Sequence, residues 1–211
     1  MADDIVFYHA PRSRSSGVVL LLTELDAPYQ VRLIDFKKNE QLAPEFLAIN
    51  PMGKVPVITH GGAVVTEQVA IYLYLADLFS GAGLAPAIGD PDRGPYLRWM
   101  AFYGSSFEPA VVDKSIGHEP GKRAMMPYGD FDTMIGTLEG QLAKGKYFLG
   151  DRFSAVDVLW GSALNWMIKW KLVPATAVFE SYVARHNERP AVREAQLRDL
   201  TGLPNRDAPS V

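Results

Sequence analysis

Val55-Pro56-Val57-Ile58-Thr59, then His60-Gly61-Gly62, then Ala63-Val64-Val65 decide the architecture of the first half of this 211-residue chain. Two β-branched runs on either side of Gly-Gly read as a β-hairpin, because paired glycines supply the turn that suits right-twisted antiparallel strands. Pro56 is unusual inside a strand-like run, since proline donates no ladder hydrogen bond. A cis bond there would bend the chain and leave the Val55 backbone free to pair with an extended peptide ligand by strand addition.

Working outward, Ile5-Val6-Phe7-Tyr8 reads as a short buried strand and Val18 to Leu25 as a helix stopped near Asp26-Ala27-Pro28. Tyr29 to Phe36 alternates apolar and polar residues and reads as a second strand. Two strands joined through a helix should be parallel, with a right-handed crossover. A short helix over Pro44 to Ile49 precedes the hairpin, and Glu67 to Phe79 carries apolar residues at helical spacing behind it. The order is βαβ followed by ββα.

Ser80-Gly81-Ala82-Gly83-Leu84-Ala85-Pro86 and Gly89-Asp90-Pro91 break the pattern as a linker. Beyond it the reading is almost purely helical: Pro95 to Val112, Phe131 to Leu142, and a helix from Ser154 to about Trp170 opened by a Ser154/Asp157 capping box. The expected organisation is a first domain over residues 1–80, a linker over 81–92 and an all-helical domain over 93–211, whose tail from Leu203 to Val211 frays.

Composition excludes several function classes. Hydrophobic residues make up 48% and charged residues 21%, a globular balance. The longest apolar run, Val69 to Ala76, is eight residues, whereas a membrane span needs about 20. The acidic start, Met1-Ala2-Asp3-Asp4, lacks the basic opening of a secretory signal, so a cytoplasmic location is expected. With 21 basic and 24 acidic residues the net charge is −3, without the clustered basic face that nucleic acid would need. Cysteine is absent, which removes disulfides and any protein thiol nucleophile, and four dispersed histidines show no metal-ligand spacing.

Two helix starts in the first domain are rich in polar groups. Ser13-Arg14-Ser15-Ser16 follows the first strand, where backbone N–H groups and the helix dipole favour an anion. N-capping alone would need one serine. Thr66-Glu67-Gln68 opens the helix after the hairpin, with Thr66 as candidate cap. That N-terminus could hold a carboxylate while Glu67 holds an ammonium, a pairing suited to a zwitterionic amino-acid end.

Asn50-Pro51-Met52-Gly53-Lys54-Val55-Pro56-Val57-Ile58 followed by Thr66-Glu67-Gln68-Val69-Ala70-Ile71 resembles the glutathione-binding half of cytosolic glutathione transferases, and the likeness extends over essentially the whole chain. It implies an α/β thioredoxin-like domain (βαβ-ββα), an all-α helical bundle, and glutathione as co-substrate with no metal. Val55 would pair its backbone with the cysteinyl part of glutathione, with Pro56 cis. Glu67 and Gln68, the latter where serine is common, would hold the γ-glutamyl end, and Lys54 would approach the glycyl carboxylate. Ser13 falls on the thiol-activating position of serine-type members (theta-, beta- or zeta-like bacterial forms). Tyr8 falls on that of tyrosine-type members, and Ser15 is a further alternative. The Ser13 hydroxyl would donate a hydrogen bond to the thiolate, aided by the helix start and Arg14.

The resemblance also implies an electrophile site between the domains, for which Trp99, Phe102, Tyr103, Ser106 and Phe107, with Trp166, are candidates. A homodimer with neither a nucleic-acid nor a membrane partner, and conjugation of glutathione to an apolar electrophile in detoxification, complete the expectation. The rivals are a glutathione-dependent isomerase, an ether-cleaving lyase, a dehalogenase, or a silent ligand-binding module of the same fold.

Overall fold

The computed structural model describes residues 5–118 and 121–201; the tail read as frayed, Leu203 to Val211, lies outside them. The chain divides into two units, one holding the residues up to Ala82 together with the helix that begins at Pro190, the other running from Gly83 to Arg189.

The first unit follows the βαβ-ββα reading: β1 (Val6–His9), α1 (Ser16–Glu24), β2 (Gln30–Leu33), α2 (Pro44–Leu47), β3 (Val57–His60), β4 (Ala63–Val65) and α3 (Gln68–Leu78). The strands lie in the order β2-β1-β3-β4. β1 and β2 are parallel, as a helical crossover requires, and the other pairs are antiparallel. Gly61 and Gly62 both take positive φ, 56° and 78°, which closes the β3–β4 hairpin. β3 begins one residue after Pro56, so the missing N–H costs no ladder bond, and the Val55–Pro56 bond is cis.

Helix α1 is apolar on nearly every side, and Gly17 to Leu22 are all buried. A helix of that kind needs cover all round. One side meets α3; another is covered by α9 (Pro190–Thr201), which buries Val192 and Ala195. This differs from the sequence reading, which ended the first domain at residue 80 and placed everything after 93 in the helical one. The apolar face that α1 leaves beyond α3 draws the last described helix into the first unit.

The second unit contains α4 (Arg93–Phe102), α5 (Glu108–Ile116), α6 (Phe131–Leu142), α7 (Ala155–Lys169) and α8 (Ala177–Asn187). Where the periodicity suggests one helix over Pro95 to Val112, a π-turn over Tyr103–Phe107 joins α4 to α5. Pro109 lies in the first turn of α5 and cannot donate to the carbonyl four residues back, so the ladder widens there. The Ser154/Asp157 capping box opens α7 as expected. Asp157 also accepts from the Phe148 amide and the Tyr182 hydroxyl, each at 3.0 Å, and so ties α7 to its neighbours.

Trp160 is the hub of this unit's core. Phe107, Tyr103 and Phe148 pack around it with ring centroids 4.8–5.4 Å away, and its Nε1 donates to the Trp99 carbonyl at 3.1 Å.

Candidate functional site

The topology of the first unit brings its polar segments to one end of the sheet. β1 and β3 run antiparallel with Tyr8 opposite Val57, so the carboxyl end of β1 at His9 lies beside the Val55–Pro56 segment that enters β3. β4 is antiparallel to β3 with Val65 opposite Ile58, so it delivers Glu67 and the start of α3 to the same end. The loop from β1 to α1, the Lys54–Pro56 segment and the α3 N-terminus therefore converge. Gln68 spans the gap, its Nε2 donating to the Arg14 carbonyl at 3.2 Å.

The approach to Val55 is cross-braced by its own sequence. Asn50, buried, donates from Nδ2 to the Lys54 carbonyl at 2.8 Å and accepts the Met52 amide at 3.1 Å. Gly53 sits at φ 59°, and a Cβ there would fall 2.9 Å from the Gln41 carbonyl oxygen, so the turn admits only glycine. Lys54 is exposed at the tip of this turn. Val55, half-buried, packs with Ile34, Phe46 and Val57.

At the second start, the N-cap of α3 is Glu67 rather than Thr66, and no side chain caps it. Glu67 is exposed and holds φ 64°, a left-handed conformation that costs a non-glycine residue on the order of 1–3 kcal/mol. The first N–H groups of a helix lack intrahelical acceptors, and a helix start of this kind suits an anion. Strain at this residue and a helix start without a side-chain cap fit a ligand-holding position.

The β1–α1 loop carries the most interconnected polar cluster among the described residues. Ser13 Oγ donates to the Ala10 carbonyl at 2.8 Å, accepts the Ser15 amide at 3.1 Å, and lies 2.7 Å from Ser15 Oγ. Ser15 Oγ in turn receives the Ala10 amide at 3.1 Å. Neither hydroxyl caps α1; both are turned into the loop. Ser13 is half-buried, Ser15 fully buried and Arg14 exposed. Tyr8 lies on the strand face opposite Phe7 and His9, where its ring packs against Phe46 at 5.8 Å and joins the Val55 cluster.

Two residues beneath this loop were not singled out from sequence. His9 is buried with Nδ1 2.7 Å from Ser15 Oγ, and Asp199 on α9 approaches His9 Nε2 at 3.3 Å. Burial pushes the Asp199 carboxyl up, but hydrogen bonding, led by that from His9, outweighs it and holds the group below its usual range. Asn50, in the turn before Val55, is a third such residue, and its signal is the Asn-Pro pair, a turn signature whose asparagine side chain can bond two residues on.

The electrophile candidates all lie in the second unit. Trp99 is 1% exposed and enclosed by Phe148, Phe102 and Trp160, which makes it a core side chain. Tyr103, Ser106 and Phe107 are buried in the π-turn, while Phe102 and Trp166 are half-buried.

Comparison with known proteins bears directly on this arrangement. Residues 4–77 match the family model for the glutathione S-transferase N-terminal domain, and residues 128–194 match that for the C-terminal domain. The chain belongs to the cytosolic glutathione S-transferase family. A curated relative, glutathione S-transferase hmp2 of Hypomyces subiculosus, is 32% identical over 68% of this chain and 74% of its own length. A glutathione transferase of Methylococcus capsulatus superposes with a TM-score of 0.77 at 26% identity, covering 92% of this chain and 98% of that one. A sphingomonad glutathione S-transferase solved in complex with glutathione gives 0.76 at 28% identity over 93% and 99% of the two chains. A transferase of this family has as its task the handling of a tripeptide thiol. Among the described residues there is no group of three or more acidic or histidine side chains placed to hold a metal ion.

Proposed function

We propose that this glutathione S-transferase family member holds glutathione across the sheet end described above, stabilises its thiolate through the Ser13 hydroxyl, and directs that thiolate at an apolar electrophile. The observation that carries the reading is the convergence of the Ser13 loop, the Val55–Pro56 segment and the Glu67 helix start on one end of a single sheet. In this reading the Val55 backbone pairs with the cysteinyl residue and Lys54 faces the glycyl carboxylate. Glu67 takes the γ-glutamyl ammonium. Gln68 Nε2 already serves the Arg14 carbonyl, so the γ-glutamyl carboxylate falls to the α3 amides, with Gln68 fixing the distance between the two helix starts.

A serine hydroxyl is no base at neutral pH, so Ser13 acts by donation. Binding releases the thiol proton to solvent, and the sulfur accepts the Ser13 proton in a hydrogen bond that replaces the one now made to Ala10. Lowering a thiol pKa from about 8.5 by two units takes about 2.7 kcal/mol. One hydrogen bond to a charged acceptor of about 1.5–3 kcal/mol, with a helix start and Arg14 nearby, is sufficient. The sulfur lone pair then forms the new bond at carbon while a leaving group departs with the displaced electrons, or, in addition, the electrophile takes up a proton. On the family reading Phe102, Tyr103 and Ser106 remain the candidate electrophile contacts, while Trp99 belongs to the core of the second unit. Homodimeric assembly, a cytoplasmic location and a detoxifying role belong to the same proposal and rest on the family; a mass near twice 23.3 kDa in light scattering tests the first.

The test is kinetic. Ser13→Ala should lower turnover of a model aryl halide roughly 10- to 150-fold at neutral pH while leaving glutathione affinity nearly intact. Tyr8→Phe should change little. The reverse pattern would move the activating hydroxyl to Tyr8.

A further inference from the structure

The polar contacts beneath Ser13 continue inward, first as a hydrogen bond and then as an ion-pair contact. Ser15 Oγ reaches His9 Nδ1 at 2.7 Å, and on the far side of the ring His9 Nε2 reaches Asp199 Oδ1 at 3.3 Å. Aspartate, histidine and serine stand in the order of a nucleophilic triad, yet Ser15 is 0% exposed and no substrate can reach it. The accessible end of the chain is Ser13, 2.7 Å further on. The triad geometry serves another hydroxyl.

The support is built from both sides. His9 is stacked on Phe7 with ring centroids 5.3 Å apart, so its imidazole cannot swing out of line. The second Asp199 oxygen accepts the Arg12 amide at 3.1 Å. Arg12 holds φ 60°, a left-handed conformation that an arginine keeps only when its surroundings impose it. A single carboxylate on α9 thus fixes the histidine under the loop and the strained residue within it.

Proton counting gives the chain a direction. Ser15 Oγ has one proton and two lone pairs, and the Ala10 amide occupies one lone pair. A bare His9 Nδ1 takes the Ser15 proton; a protonated Nδ1 fills the second lone pair and leaves that proton to the Ala10 carbonyl at 3.0 Å or to Ser13 Oγ at 2.7 Å. In either state Ser15 is held, its amide donates to Ser13 Oγ, and the Ser13 proton stands at the accessible end, where a thiolate can claim it from the Ala10 carbonyl. With the Ser15 proton on Ser13 Oγ, every donor points outward, and each bond strengthens the next.

We propose that His9 and Asp199 are positioning residues for thiol activation: the α9 carboxylate fixes the imidazole, the imidazole fixes Ser15, and Ser15 orients the Ser13 hydroxyl toward the glutathione sulfur. This rests on the reading of Ser13 given above. Neither residue touches substrate, and the last described helix of the chain is thereby coupled to its first loop.

The experiment compares wild type, Ser13→Ala, Asp199→Asn and the double variant in the full-length chain. It measures kcat, the KM for glutathione and the pH at which bound glutathione ionises. Asp199→Asn should lower kcat about three- to tenfold, the effect of weakening one hydrogen bond. It should raise the ionisation of the bound thiol by about half to one pH unit and change the glutathione KM by no more than about twofold. In the Ser13→Ala background the same substitution should have no further effect, and Asp199→Glu should recover part of the loss. An unchanged thiol ionisation in Asp199→Asn, or an equal loss with and without Ser13, would overturn the proposal and leave Asp199 a structural residue. If Asp199→Asn does not fold, His9→Gln is compared in the same two backgrounds with the same expectations. Full activity in Ser13→Ala itself would remove the reading beneath the proposal, an outcome distinct from an Asp199 effect that ignores Ser13.

Discussion

Gly161→Ala tests the packing of the helical unit where a single methyl group decides the outcome. Gly161 is buried in α7, facing His186 of α8. A Cβ at residue 161 would lie 2.1 Å from His186 Nδ1, 2.4 Å from Cγ and 2.8 Å from Cε1. Such overlap exceeds what a shift of a few tenths of an ångström relieves, and the ring, 5% exposed, has little room to move. Overpacking of this kind costs about 1–3 kcal/mol, and the size of the overlap places it at the upper end. Alanine gains up to about 1 kcal/mol over glycine in a helix interior. The net loss is then about 2 kcal/mol, or a fall of roughly 4–8 °C in Tm for a chain of this size. Thermal melts followed by circular dichroism read this directly. In a His186→Ala background the ring is gone, and Gly161→Ala should be neutral or stabilising there. A neutral Gly161→Ala in the wild-type background, or the same loss in both, would refute the reasoning.

The same unit holds two buried groups with opposing pH responses. Burial, helped by the Arg189 charge, lowers the His186 pKa from 6.5 to about 4; the stability it contributes is present above pH 6.5 and is lost as pH falls toward 4. Burial raises Asp157 from 3.8 to about 6 against the pull of its hydrogen bonds; its contribution is present below pH 3.8 and is lost as pH rises through 6. The two oppose each other at about 3 kcal/mol apiece. Denaturant titrations from pH 7 to pH 4 should therefore show a steeper acid loss in Asp157→Asn than in wild type, and a shallower one in His186→Gln; parallel curves would contradict both assignments. Asn50→Ala removes two hydrogen bonds made by a buried side chain in the turn before Val55, and should cost about 1–3 kcal/mol of stability. It should also raise the glutathione KM more than it lowers kcat, whereas a pure kcat effect would detach this turn from binding.

Much of this was legible because the deciding signals are local. The Gly61-Gly62 hairpin and the α7 capping box each follow from residues within a few positions of one another, the parallel β1–β2 pair follows from the helix between its strands, and α6 spans the residues its periodicity marked. The Ser13, Val55 and Glu67 segments could be placed at one sheet end once the strand order was known, since antiparallel pairing determines which strand ends meet. What escaped the reading is non-local or geometric. Asp199 lies 187 residues from the Arg12 amide it accepts, and no periodicity announces that α9 covers α1 instead of joining the helical unit. The π-turn at Tyr103 looks like uninterrupted helix in an apolar pattern, although Pro109 was a cue to it. At the α3 start Thr66 has the composition of a cap, but the backbone at Glu67 turns left-handed and takes the cap position itself. The aromatic spacing of Trp99, Tyr103 and Phe107 marked a helix face without distinguishing a core from a pocket, and the structure packs all three around Trp160 or against its neighbours.

The central claim is that this chain binds glutathione and lowers the pKa of its thiol. The measurement that meets it most directly is the absorbance of the thiolate of protein-bound glutathione, followed as a function of pH with saturating protein. The account predicts a midpoint about two pH units below the roughly 8.5 of a free thiol, returning most of the way toward that value in Ser13→Ala. A bound thiol that ionises as it does in free solution, or no bound glutathione at all, would contradict it.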